Sequence, residues 1–263
     1  MARLAIVSAM RQELDAVLRL MPDEQMQRTA GREFWVGHLQ GHEVVAVLSR
    51  IGKVAAATTA TVLIERFEVG RIIFTGVAGG LGQGVAVGDI VVAQSFMQHD
   101  LDASPIFPKY EVPLYGISRF LTDPVLSECL LTAARSLAKE PALLIAKAGD
   151  SGNASASKDS SLSFGLGLPR VHHGLIVSGD RFVSSGAEAS ALQRALPDAL
   201  AVEMEGAAFA QVCHDYGVPF AALRTISDRA DDAAHVDFLR FIDQVASRYS
   251  AAVLDRLLEL LPR

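Results

Sequence analysis

The residues able to do chemistry fall in one kind of place, directly after short apolar runs. Residues 4–9 are followed by Met10 and then Glu13, and residues 71–75 by Gly76-Val77-Ala78-Gly79-Gly80. Residues 175–177 lead into Ser178-Gly179-Asp180-Arg181-Phe182, residues 199–202 into Glu203-Met204-Glu205, and the run from 219 into Ser227-Asp228. If these runs are parallel strands, ligands bind outside their carboxyl ends. A glycine run, an aromatic ring and several carboxylates then share one crevice. Glycine lets a flat ring lie against backbone, and carboxyl groups can serve as acid or base. Singly, each has a plainer reading: Glu13 as a solvated helix residue, Asp228 as an N-cap, the glycines as a tight turn, Glu203 as a partner of backbone or an arginine. The convergence of all five on one sheet edge favours a site.

The elements that must position them follow from pattern. Residues 4–9, 44–48, 71–75, 89–93, 175–177, 199–202 and 219–225 are uniformly apolar or β-branched without alternation, as strands covered on both faces read. Helical spacing appears at 10–20, with Met10, Leu14, Val17 and Leu18 on one side, and in the alanine-rich 53–67. Residues 205–216 open with a glutamate, suited to a helix N-terminus, and 236–261 carry an apolar stripe. Alternating strands and helices predict an α/β fold. The expectation is one domain over 1–263, three-layered, with a central mixed, largely parallel twisted sheet flanked by helices. Two stretches depart from the rhythm. Residues 98–116, with Pro105, Pro108 and Pro113, read as a long ordered loop; 147–167, rich in Gly, Ser and Ala, read as a flexible insertion.

Composition narrows the function. The chain has 263 residues, 50% of them hydrophobic, and a formal charge of −6 with no basic run, which argues against a nucleic-acid groove. No apolar run reaches the ~18 residues of a membrane span, and the N-terminus has no signal-peptide pattern, so a cytoplasmic setting is expected. Cys129 and Cys213 form no C-x-x-C motif and read as buried free thiols. Gly76, Gly79 and Gly80 lack dinucleotide spacing, and Gly52-Lys53 lacks the P-loop context. Neither His99-Asp100-Leu101-Asp102 nor His172-His173 supplies three spaced metal ligands. No cofactor and no metal are expected.

Seven ordered motifs carry a resemblance. They are Ala9-Met10-x-x-Glu13, Ser49-x-Ile51-Gly52-Lys53-Val54, Thr75-Gly76-x-Ala78-Gly79-Gly80-Leu81, Val87-Gly88-Asp89-Ile90-Val91, Ser178-Gly179-Asp180-x-Phe182, Val202-Glu203-Met204-Glu205-Gly206 and Arg224-x-Ile226-Ser227-Asp228-x-Ala230-Asp231. In this order the chain resembles the 5′-methylthioadenosine/S-adenosylhomocysteine nucleosidases, within the purine nucleoside phosphorylase superfamily; residues 100–173 match weakly. The resemblance implies a nucleoside phosphorylase-like fold and hydrolysis of the N-glycosidic bond of a 5′-substituted adenosine, releasing adenine.

The resemblance also implies roles. Asp228 is the general acid at purine N7, requiring a raised pKa, with Ser227 orienting its carboxyl. Glu13 is the base for water, and Glu205 grips the ribose hydroxyls. Met204 packs on the sugar, Phe182 stacks on the purine, and the Val183 backbone reads the base edge. Phe238 lines the base or sugar, and Arg224 stands near the nucleophilic water, with an ion pair to an acid as its plainer role. Met10, Ile51, Ala78 and Gly79, within the matched motifs, complete the expected binding surface. A homodimer is implied, with the loop around 104–115 at the interface.

Arg50 and Val77 depart from the pattern, standing where many nucleosidases have glycine and serine. Arg50 reads either as a 5′-side pocket residue or as surface. Three rivals stay open: a phosphorylase, a hydrolase of another purine nucleoside such as futalosine, and a non-catalytic nucleoside-binding protein. A carboxylate at Glu13 would repel an attacking phosphate.

Overall fold

The computed structural model describes residues 3–139, 168–230, 241, 245 and 247–262. The expected insertion at 147–167, Phe238 and Asp231 lie outside them. Among the described residues ten strands form one mixed sheet: β1 (Arg3–Ser8), β2 (Gln25–Thr29), β3 (Arg32–Leu39), β4 (His42–Leu48), β5 (Val69–Gly80), β6 (Ile90–Gln98), β7 (Phe120–Leu121), β8 (Val171–Ser178), β9 (Ala199–Glu203) and β10 (Phe220–Asp228). Six helices accompany it among the described residues: α1 (Arg11–Leu18), α2 (Lys53–Phe67), α3 (Pro124–Lys139), α4 (Gly186–Ala195), α5 (Gly206–Tyr216) and α6 (Ser247–Leu260).

The strand order is β10-β6-β8-β9-β5-β1-β4-β3-β2, and β10 also pairs with β5. That second pairing closes β10, β6, β8, β9 and β5 into a ring, from which β1, β4, β3 and β2 extend as a wing. Parallel pairing joins β1 to β4 and β5, β5 to β10, and β8 to β6 and β9. Antiparallel pairings of β10 with β6 and of β5 with β9 join these two parallel sets, so the expected single parallel edge is not what gathers the acids. The carboxyl ends of β5 and β9 meet head-on at Gly79 and Val202, and Asp228 at the end of β10 pairs with the same Gly79. Sequence alone gives no sign of ring closure, since pairing partners far apart in the chain leave no local pattern.

Alternation along the strands builds the layers. Ile6, Ile73 and Leu223 pack with Leu14 of α1, Leu130 of α3 and Val253 of α6. Their neighbours Val7, Phe74 and Ala222 face the other way, toward Ala60 and Leu63 of α2 and Phe209 of α5. Both faces are covered, which is why these strands read as continuous apolar runs.

The seven expected strands and the helices at 10–20, 53–67 and 205–216 form, shifted at their ends by a few residues, and the predicted tail helix contains α6. Unexpected are β2, β3, β7, α3 and α4. The β2–β3 and β3–β4 hairpins turn on Ala30-Gly31 and Gln40-Gly41, all four residues at positive φ. Such two-residue turns match the strand twist, but Ala-Gly and Gln-Gly announce them weakly. Residues 99–119 form the expected ordered loop, fastened by backbone bonds such as Tyr110 N–H to Leu101 C=O (3.0 Å) and Val112 N–H to Ile117 C=O (2.9 Å). Cys213 is buried and Cys129 partly so, both as free thiols. Among the described residues no helix is long and apolar enough to cross a membrane.

Candidate active site

The cavity at these strand ends has a volume of about 330 Å³, within the range that suits a small molecule. Of the residues the sequence singled out, Met10, Ile51, Ala78, Gly79, Phe182, Val183, Met204, Glu205, Ser227 and Asp228 line it. Ala9, Val77, Arg181, Val202 and Glu203 line it too. Glu13 and Arg224 are not at its surface but are fully buried.

Glu13 occupies the first turn of α1, where its Oε2 accepts from Met10 N–H (3.1 Å). Its Oε1 accepts from the Ser250 hydroxyl of α6 (3.0 Å), 237 residues away in sequence. Glu13 is thus no solvated helix residue: packing of α6 over α1 excludes water from it. Burial pushes its pKa up to about 7, against lowering contributions from the Ser250 bond, the Arg224 charge and backbone donors.

The glycine run also differs from its plain reading. It forms no tight turn; β5 stays extended to Gly80, with Gly79 paired to both Asp228 and Val202. A side chain at Gly79 would place its Cβ 3.0 Å from Asp228 Oδ1 and from Ala230 Cβ. The glycine is required by the close approach of β10 and its terminal carboxylate.

Asp228 ends β10 and is buried. The Ser227 hydroxyl donates to its Oδ2 (2.7 Å), and Ala230 N–H donates to its Oδ1 (2.8 Å). Two neighbouring groups thereby fix the carboxyl plane.

Glu203 and Glu205 follow one another at the end of β9 with different partners. Glu203 accepts from the Ser178 hydroxyl, Glu205 N–H (3.2 Å), Gly206 N–H (2.9 Å) and Arg224 Nη2 (2.8 Å). It holds the start of α5 and neutralises Arg224, the structural role its position suggested. Glu205 accepts from Gly52 N–H (2.8 Å). Burial first, then the charge of Glu203, pushes its pKa up to about 7, while Gly52 and Arg224 act the other way.

Arg224 is sealed inside β10. Besides Glu203 it donates from Nη1 to the carbonyls of Phe74 (3.2 Å) and Leu223 (3.0 Å), and its guanidinium lies 4.1 Å from the Phe74 ring centroid. Arg50 is exposed, donates to the Gly31 carbonyl and does not line the cavity, which matches its surface reading.

The histidine pairs go elsewhere. His172 Nε2 meets Asp89 (2.8 Å) and His99 is largely buried against Gly179. Sequence reasoning missed Ser250 and Gly52 as partners of the two carboxylates. Ser250 has no local signal, because its role exists only once α6 packs on α1. Gly52 lies inside a matched motif, as do the cavity-lining Ala9, Val202 and Glu203, so the motifs themselves point to these positions.

The profile of the Phosphorylase superfamily matches residues 3–259. The 5′-methylthioadenosine/S-adenosylhomocysteine nucleosidase of Chromohalobacter salexigens is 34% identical over 262 residues, covering 99% of this chain and 98% of that one. That of Bacillus cytotoxicus is 33% identical, covering 98% and 99%. Among solved structures, the Neisseria meningitidis nucleosidase in complex with methylthio-immucillin-A superposes with a TM-score of 0.83, 32% identity, and 99% and 100% coverage. An aspartate-to-asparagine mutant of the Helicobacter pylori nucleosidase, with 5′-methylthioadenosine in its active site, gives 0.81, 30% identity, and 99% and 100%. With this cavity and these relatives over its whole described fold, the chain belongs to the 5′-methylthioadenosine/S-adenosylhomocysteine nucleosidases of the phosphorylase superfamily.

Proposed function

We propose that the protein hydrolyses the N-glycosidic bond of a 5′-substituted adenosine, 5′-methylthioadenosine or S-adenosylhomocysteine, releasing adenine. The observation that carries the roles is the shared cavity: Asp228, Glu205 and Phe182 line it, and Glu13 is buried just behind Met10 with a pKa near neutrality. Water oxygen bonds to C1′ as the C1′–N9 bond breaks. The water proton passes to Glu13, the bond's electron pair goes to the purine, and Asp228 protonates that leaving group at N7. Glu205 holds the ribose hydroxyls, and its charge supports the positive sugar in the transition state. Phe182 stacks on the base, Val183 reads its edge and Met204 packs on the sugar.

Water is favoured over phosphate by charge. Arg224 is already paired with Glu203, and Val77 presents an apolar side chain at the cavity. An anion entering beside Glu13 and Glu205 would meet repulsion with little screening. The test is adenine release from 5′-methylthioadenosine with and without phosphate. Equal rates, with free methylthioribose as co-product, are expected. Strict dependence on phosphate, with a sugar 1-phosphate product, would make the enzyme a phosphorylase.

A homodimer accompanies this reading. Ile51 and Phe182 at the cavity are exposed, and so are Val54 of α2 and Ile106 and Leu114 of the 99–119 loop. Covering such apolar side chains is what association does. Light scattering at twice the chain mass is the expected result; a fully active monomer would refute it.

A further inference from the structure

Lys53, the first residue of α2, joins three loops beside the cavity. Its Nζ donates to Oε1 of Gln98 (3.0 Å), the last residue of β6, and to Oδ1 of Asp100 (2.6 Å), two residues beyond it, and lies 4.0 Å from Asp180 Oδ2. Its backbone N–H donates to Asp180 Oδ1 (2.7 Å), and Asp180 N–H donates to Asp100 Oδ2 (2.8 Å). Gly52, at the N-cap of α2, offers no side chain to the helix's free N–H groups. Asp180 arrives from the β8–α4 loop to supply that carboxylate, where the helix dipole favours it.

The consequences run along the chain in both directions. One residue before Lys53, Gly52 N–H holds Glu205; two residues after Asp180 comes Phe182, then Val183. We propose that Lys53 is a positioning residue: its ammonium binds the Asp100 and Asp180 carboxylates together, fixing the 180–183 loop against α2 and so holding Phe182 and Val183 over the cavity. This deepens the nucleoside reading and rests on it for what that loop grips. The link is half-exposed, with side-chain accessibilities of 17%, 30% and 49% for Lys53, Asp100 and Asp180. Exposed pairs add little to global stability, so its effect belongs to the loop. Without the ammonium, two adjacent carboxylates repel and the loop moves outward.

The test is Lys53→Met in the full chain, read by steady-state kinetics with 5′-methylthioadenosine and by calorimetric binding of adenine. Ring contacts exist in both ground and transition states, so KM and the adenine Kd should each rise about tenfold with kcat within about threefold. Lys53→Arg should keep KM within about threefold. Lys53→Met/Asp100→Asn should recover part of the loss by relieving the repulsion, which a merely structural lysine would not show. Unchanged KM and adenine Kd in Lys53→Met overturn the proposal, and so does absence of recovery in the double variant. Should Lys53→Met not fold, Asp180→Ala reads the same link, with about a fivefold rise in KM expected and an unchanged value overturning it. A wild-type protein that releases no adenine counts against the nucleoside reading, while adenine binding in the variants still tests the loop.

Discussion

Beneath the floor of the cavity Glu13 and Arg224 are sealed from solvent, and Glu203, which lines it, nearly so; Ser250 holds Glu13, and Arg224 and Glu203 hold each other. At the mouth, Ile51 and Phe182 expose 65% and 39% of their surface and offer mainly apolar contact. The difference separates two tasks. Charges that must be tuned sit on strands and first helical turns, inside a low-dielectric interior where a neighbouring bond shifts a pKa. Groups that grip a flat ring sit on loops, where position matters more than electrostatics. Changes at the floor should therefore act on turnover, and changes at the mouth on affinity.

The sharpest way to break that division is Asp228→Asn. It keeps shape and the Ser227 and Ala230 contacts but loses the transferable proton, so kcat should fall by about 10³-fold or more. Calorimetry should still detect substrate-analogue binding. A variant with near-normal kcat would remove Asp228 from the acid role.

Glu13→Gln comes next, with an expected kcat loss of about 10²-fold or more. Because Glu13 must be ionised to accept a proton, wild-type kcat/KM should fall as pH drops through about 7. Glu205 also titrates near 7, so the assignment needs both variants. The limb should persist in Glu205→Gln and vanish in Glu13→Gln; the reverse pattern would move the base to Glu205.

The same residue predicts a stability effect of opposite sign. Folding raises the Glu13 pKa from 4.5 to about 7, so its contribution is fully present below about 4.5 and lost as pH rises through about 7. At pH 8 a buried charge remains, at a cost of roughly 3 kcal/mol. Glu13→Gln should thus melt several degrees above wild type at pH 8, by calorimetry, with the gain shrinking toward pH 5. Equal Tm at both pH values would mean the burial cost is offset elsewhere.

The mouth should answer differently. Phe182→Ala should raise KM about tenfold with kcat changed by less than about threefold. A large kcat loss would show that the loop also shapes the floor. Smallest of all, Arg50→Ala should leave KM within about twofold, since Arg50 lies outside the cavity lining.

Much of the site was legible before folding because its residues sit at fixed offsets from recognisable strands. Met10, Glu13, Phe182, Glu205 and Asp228 each follow an apolar run by a few positions. Less legible was the β2–β3 hairpin: β2 is exposed almost throughout and β3 only partly buried, so their apolar pattern is weaker than that of strands covered on both faces. α3 starts with Pro124 behind the Asp123 cap, whose Oδ1 accepts from Leu126 N–H (2.8 Å), a local start signal that the sequence does carry.

By itself the sequence determined the α/β class, the strand-end placement of the acids and the glycine at 79. These rest on local period and backbone sterics, which neighbouring residues carry. Only the tertiary structure decided that β10 closes a ring onto β5, that Ser250 reaches Glu13, and that Glu203 and not a ligand neutralises Arg224. Those facts depend on residues 21 to 237 positions apart meeting in a shared low-dielectric interior, and no local pattern encodes such a meeting.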